Sequence, residues 1–134
     1  EFRFESDSNC PPPMDTSDFC AALANLLDNA STAAQRALRA QMKGYVKLRF
    51  ARVYEMFYLY CDNSMVPGSL HDNAKKHGYS VVREVGGHGV GIRTVRKIVY
   101  QAEGRSEFTP SKDEREFHVK LVIPYPLPED GYCF

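Results

Sequence analysis

Two runs of alternating residues, 45–53 and 56–61, are separated by only Tyr54 and Glu55. This spacing constrains the fold more than any other feature. A parallel pair needs a crossover of a dozen or more residues, so runs this close pair antiparallel through a tight connection. In the first run Val46, Leu48 and Phe50 fall on one side, and Lys47 and Arg49 on the other. That predicts a strand with one buried face. A one-sided sheet needs a second layer to cover its apolar face.

The sequence supplies that layer in two pieces. Phe19, Leu23, Leu26, Leu27, Ala30, Ala34, Ala37 and Leu38 recur at spacings of three and four, which predicts one apolar stripe on a helix running to about Met42. Asp15 or Thr16 is its expected cap, Asp18 suits the positive end of the helix dipole, and Lys43-Gly44 ends it. Further on, Val90, Val95, Ile98, Val99 and Ala102 approximate a second stripe, closed by Gly104. Residues 2–5 read as an edge strand, and Pro11-Pro12-Pro13 as a rigid connection. Residues 107–109 and 117–123 read as two more strands joined by the polar turn 110–113, with Pro124 ending the sheet.

The stretch 62–86 breaks every pattern. Pro67-Gly68 signals a turn, and Ser69 could cap a short helix over 69–77, ended by Gly78. A connection this long in a small domain is usually functional or mobile. The order of elements implies an α+β two-layer sandwich: one mainly antiparallel sheet with helices on a single face.

At 134 residues the chain forms one domain, 1–134. Lys and Arg number 17, as do Asp and Glu, so the basic excess of a nucleic-acid binder is missing. No apolar run approaches the roughly 20 residues of a membrane helix. The chain opens on a strand with no leader, which suggests a fragment of something longer. Cys10, Cys20, Cys61 and Cys133 form no CxxC pair and no evident disulfide framework, so neither a zinc site nor an oxidising compartment is expected. The sequon Asn29-Ala30-Ser31 lies inside the first helix and is taken as chance.

Two segments stand out chemically. Asn25 and Asn29 lie four apart on the first helix, on a face shared with Ala22, Thr32 and Arg36. This face is either a solvated edge or a metal site, since an amide oxygen is a good hard ligand for Mg²⁺. Gly87-His88-Gly89-Val90-Gly91-Ile92 runs straight into the second helix, and such a turn lets backbone amides approach phosphate. The spacing is not GxGxxG and no Gly-Lys-Ser/Thr follows, so Rossmann and Walker readings fail. Asp62, at the end of a strand, is either a turn former or a carboxylate that accepts from a base amino group at a pocket floor. Of the histidines, His88 and His118 read as structural, and His71 as a loop residue.

In this order and register, three segments resemble the boxes of the GHKL ATPase superfamily. Residues 23–30, Leu-Ala-Asn-Leu-Leu-Asp-Asn-Ala, resemble the asparagine box. Cys61-Asp62-Asn63-Ser64 approximates the first glycine box, and residues 87–92 resemble the second. The forms around Asn25–Asn29 and 87–93 are most similar to sensor histidine kinases of the Agr-like, peptide-sensing group. The resemblance implies a Bergerat fold binding ATP and Mg²⁺ under a lid at about 65–86. Asn29 would be the metal ligand. Asn25 would stand where ATPase relatives place a general base, which an amide cannot be. Asp62 would accept from the adenine amino group, and Ser64, Gly87, His88, Gly89, Val90, Gly91 and Ile92 would border the nucleotide. Lys75, Lys76 or Arg83 would reach a phosphate.

The chain departs from the pattern at Ser64, where a glycine is usual, in the degraded run 65–68, and at Thr32, a position often charged. The function implied is the catalytic half of a two-component histidine kinase. It would transfer the γ-phosphoryl group of ATP to a histidine on an upstream dimerisation domain, with a response regulator as the next partner. The intact protein would be a homodimer, and this a cytoplasmic domain of a membrane-anchored sensor. Three alternatives remain: a serine kinase of the anti-sigma-factor type, a nucleotide-binding regulatory module without turnover, and a plain interaction domain.

Overall fold

In the computed structural model, which describes residues 1–6, 11–69 and 89–126, the chain runs β1 (Phe2–Ser6), α1 (Thr16–Arg39), β2 (Val46–Val53), β3 (Met56–Ser64), α2 (Gly89–Gln101), β4 (Arg105–Pro110) and β5 (Glu116–Pro124). The strands form one sheet in the order β1-β2-β3-β5-β4. All pairings are antiparallel except β1 with β2. Both helices cover the same face, as the α+β two-layer reading requires. The short helix expected over 69–77 lies outside the described residues, apart from Ser69.

The β2–β3 hairpin turns on Tyr54 and Glu55, with Val53 opposite Met56 and Tyr54 at φ 55°. β3 then runs three residues further than its apolar run, because Asp62, Asn63 and Ser64 continue the ladder against β5. Along β3, Phe57, Leu59, Cys61 and Asn63 are buried while the residues between them are half-buried. The period of two thus assigns the first set to the helix side and Tyr58, Tyr60 and Asp62 to the other.

On α1 the buried residues are Ala22, Leu26, Ala30, Ala33, Ala34 and Ala37. Leu38, expected in the stripe, is 57% exposed, and Ala22, expected on the polar face, is buried. The seam is rotated because its alanines let α1 approach closely, with Leu23 and Leu27 packing at its margin. Asp15 occupies the N-cap position without capping; its carboxylate accepts from Ser17 Oγ instead, at 3.0 Å.

Both helices end alike. α1 stops at Arg39, short of Met42, with Gln41 left-handed at φ 60°; Met42 N–H donates to Ala37 O and Gln41 N–H to Leu38 O. α2 repeats the motif with Glu103 at φ 63°, Gly104 N–H donating to Val99 O and Glu103 N–H to Tyr100 O. These are Schellman ends with a non-glycine residue in the left-handed place. Gly104 serves another purpose: a Cβ there would lie 2.7 Å from Val122 O, so β4 could not start where it does.

The core divides along the sheet. One end is aromatic, with Phe4, Phe19, Phe50, Phe57 and Tyr125 in edge contacts at centroid distances of 5.1 to 6.3 Å. The other end, around Cys61 and Asn63, holds a cavity. Among the described residues no helix is long and apolar enough to cross a membrane.

Candidate functional site

The cavity lies between α1, the start of α2 and the inner face of β3 and β5. Leu26, Asn29, Ala30, Ala33, Cys61, Asn63, Met65, Ile92, Phe117 and Val119 line it. Its volume is about 20 Å³, room for about one water molecule, so a larger guest must displace side chains. Met65, buried in its wall, is unbranched and adapts readily to such a change.

The asparagine helix and the glycine turn meet here. A Cβ at Gly91 would lie 2.9 Å from Asn25 Oδ1, so a side chain there would force Asn25 to shift, whereas glycine leaves it in place. Asn25 Nδ2 donates to Ala21 O at 2.8 Å, which fixes the direction of its amide oxygen. Asn29, one turn further, lines the cavity itself. Ile92 is 3% exposed and forms part of the wall. Gly89 and Val90 open α2, one residue earlier than the apolar stripe suggests. Gly87 and His88 lie outside the described residues, as do Lys75, Lys76, Arg83 and all of the expected lid beyond Ser69.

Asp62 is not part of the cavity. It belongs to the opposite face of the sheet, where its Oδ1 lies 2.8 Å from His118 Nδ1 on β5. The reason is strand periodicity. β3 does not end at residue 61, so its alternation carries on and turns Asp62 away while turning Asn63 inward. Asn63 was missed. The signal was the parity of 57, 59 and 61, continued by two. It is 4% exposed, and its Nδ2 donates to the Ser64 carbonyl at 2.9 Å.

Ser64 also differs from expectation. Its hydroxyl is engaged by the backbone of Tyr45, accepting from Tyr45 N–H at 2.9 Å and donating to Tyr45 O at 3.4 Å. It fastens the residue before β2 to the last residue of β3 and does not line the cavity. Next to it, the Tyr45 hydroxyl donates to the Glu116 carboxylate. Burial and that carboxylate raise the Tyr45 pKa, which keeps the phenol protonated.

Cys61 contributes an apolar wall. Burial pushes its thiol up to about 12, with the Asp62 charge adding to the effect, so the free thiol stays protonated and is a poor nucleophile at neutral pH. The segment entering the expected lid is tied down: Met65 N–H donates to Arg115 O, Gly68 N–H to Glu114 Oε1, and Ser69 Oγ to Val66 O.

The arrangement is a closed apolar slot with amides of Asn29 and Asn63 on its walls and the start of a helix at its edge. No curated protein matches the chain in sequence. Solved structures match its fold. The catalytic domain of histidine kinase ThkA is similar at 22% identity and a TM-score of 0.71, over 94% of this chain and 81% of that one. The histidine kinase domain of the E. coli osmosensor EnvZ is similar at 19% identity and a TM-score of 0.64, over 100% and 81%. So is ThkA in complex with the response regulator TrrA, at 20% identity and a TM-score of 0.64, over 94% and 34%. A family model described as the GHKL domain matches residues 14–124, the span from the end of the proline run to the last residue of β5, and the chain belongs to that family.

Proposed function

We propose that this domain is the ATP-binding catalytic half of a two-component sensor histidine kinase, which delivers the γ-phosphoryl group of ATP to a histidine on an upstream helical domain. One observation carries the reading. Asn25 of the asparagine helix abuts Gly91 of the glycine turn, and the cavity beside them presents Asn29 and Asn63.

The roles follow from the chemistry of the amides. Because Asn63 Nδ2 is engaged by the Ser64 carbonyl, its Oδ1 is the atom turned to a ligand. An acceptor there suits the adenine amino group and takes the part expected of Asp62. Ile92, Leu26 and Val119 provide the apolar faces against which a purine stacks. Asn29 offers an amide oxygen at the phosphate side, which fits Mg²⁺, an ion that takes few protein ligands and leaves the rest to water and phosphates. Bound there, the metal would offset phosphate charge. Asn25 positions α2 and cannot remove a proton from water, which favours transfer to a protein acceptor over hydrolysis. The backbone of 89–91 opens α2, where amide groups and the helix dipole favour an anion.

The finer assignment to the Agr-like, peptide-sensing group rests on the strings 25–30 and 87–93. A response regulator as partner is supported by the ThkA–TrrA likeness. A second reading, a nucleotide-binding module without turnover, is favoured by the smallness of the cavity. Calorimetric titration with ATP, with and without Mg²⁺, tests the pocket. We expect binding strengthened by Mg²⁺, and no metal effect in Asn29→Ala. Phosphotransfer is then measured with a phosphoacceptor helical domain and radiolabelled ATP. An acid-labile label on that domain supports the kinase, and binding with no transfer leaves the regulatory module.

A further inference from the structure

We propose that the groove between α2 and the free edge of β4 is a docking site for an extended, acidic segment of a partner protein, which adds to the sheet as a sixth strand. The groove has a volume of about 620 Å³ and is separate from the cavity; Arg93, Arg96, Lys97, Tyr100, Gly104, Arg105, Ser106 and Glu107 line it. Two independent features define its occupant.

The first is the backbone. β4 is the last strand in the order β1-β2-β3-β5-β4 and, among the described residues, pairs only with β5, so one row of its N–H and C=O groups faces outward. An open edge recognises a peptide in extended form through main-chain hydrogen bonds. The rise of a strand makes six residues, Arg105–Pro110, about 20 Å long, enough for a short added strand.

The second is charge. Arg93, Arg96, Lys97 and Tyr100 are spaced by three, one and three, which places them on one exposed stripe of α2. Arg105 adds a fourth cation, and Glu107 is the one carboxylate of the lining. Over the whole chain cations and anions balance at 17 each, so this concentration is local. Among the described residues Arg93, Lys97 and Arg105 take part in no ion pair. Tyr100, 80% exposed, offers an aromatic face beside them. A strand whose alternate side chains are carboxylates would place them against this cationic wall while its backbone pairs with β4. Complementary charge of this kind sets orientation and association rate.

The test uses a dye-labelled peptide of alternating glutamate and valine and its counterpart with lysine for glutamate, titrated against the domain by fluorescence anisotropy. We expect the acidic peptide alone to bind, at least tenfold more weakly in the double variant Lys97→Glu/Arg105→Glu, with hydrogen exchange at the outward-facing amides of 105–109 slowed in the complex. These side chains are exposed, and circular dichroism confirms that the variant is folded. Equal binding of both peptides, an unchanged affinity in the variant, or binding without protection of the outward-facing amides of 105–109 overturns the proposal. So does equal competition by a single-stranded oligonucleotide or by anionic phospholipid vesicles, which would mark a general anion surface. Concentration-dependent self-association lost in the same variant would assign the groove to a second copy of this chain and overturn it as well.

Discussion

The two faces of β3 are built from alternate residues of one nine-residue strand, yet they follow different rules. Inward, Phe57, Leu59, Cys61 and Asn63 are sealed beneath the helices. Outward, Tyr58 and Tyr60 stack at 6.1 Å with their planes 9° apart. Lys120 lies over the Tyr58 ring and Arg49 over the Tyr60 ring, at 5.9 and 4.6 Å. Asp62 pairs with His118 in the same row. The inner face is held by exclusion of water, and the outer one by contacts that remain half in water. A polar group on the inner face is therefore either satisfied or poised for a ligand, whereas the same group outside is unremarkable.

The largest expected contrast is in stability. Leu59→Ala removes a core side chain that is 1% exposed and should cost about 2–5 kcal/mol in denaturant unfolding. Tyr60→Ala, its neighbour on the outer face, should lose only about 0.5–1 kcal/mol of cation–π energy beyond the packing of its ring. Equal losses would mean that the outer face is covered after all.

Nucleotide affinity sharpens the same contrast. Asn63→Ala removes a buried acceptor and should weaken ATP binding by about 1–3 kcal/mol, or roughly 5- to 150-fold. Asp62→Ala should leave affinity within about threefold, because its carboxylate faces away. The reverse ranking would sink the assignment of Asn63.

The thiol of Cys61 gives a pH signature peculiar to the inner face. Its pKa is raised in the fold, so its stabilising effect is complete below the ordinary thiol value of 9.0 and is lost as pH rises towards about 12. Alkaline unfolding should therefore be displaced upward in Cys61→Ala. At pH 8 iodoacetamide should label exposed Cys20 and spare Cys61. The smallest effect is expected for the His118–Asp62 pair, whose side chains are 44% and 35% exposed. His118→Ala should change stability by less than about 1 kcal/mol, and by less still at high salt.

Much of this was legible in the sequence because period and spacing act locally. Val46, Leu48 and Phe50 against Lys47 and Arg49 define a one-sided strand, and Tyr54-Glu55 leaves room only for a hairpin. The asparagine helix and the glycine turn were readable as the two halves of a site. The rest depended on where elements stop and what they meet. Asp62 attracted attention as a carboxylate at a strand end. The ladder with β5 carries that strand to Ser64, and the parity of the extension gives the cavity to Asn63. Leu38 fits the helical repeat as well as Leu26 does, but nothing in the repeat says where the sheet will lie. Gln41 and Glu103 occupy left-handed positions that sequence reasoning gave to nearby glycines, because a helix end formed by two backbone bonds tolerates other residues there.

The contact between Gly91 and Asn25 has a mechanical consequence. With only a hydrogen atom at position 91 facing the Asn25 amide oxygen, the first turn of α2 has no slack towards α1 unless the Asn25 side chain turns away.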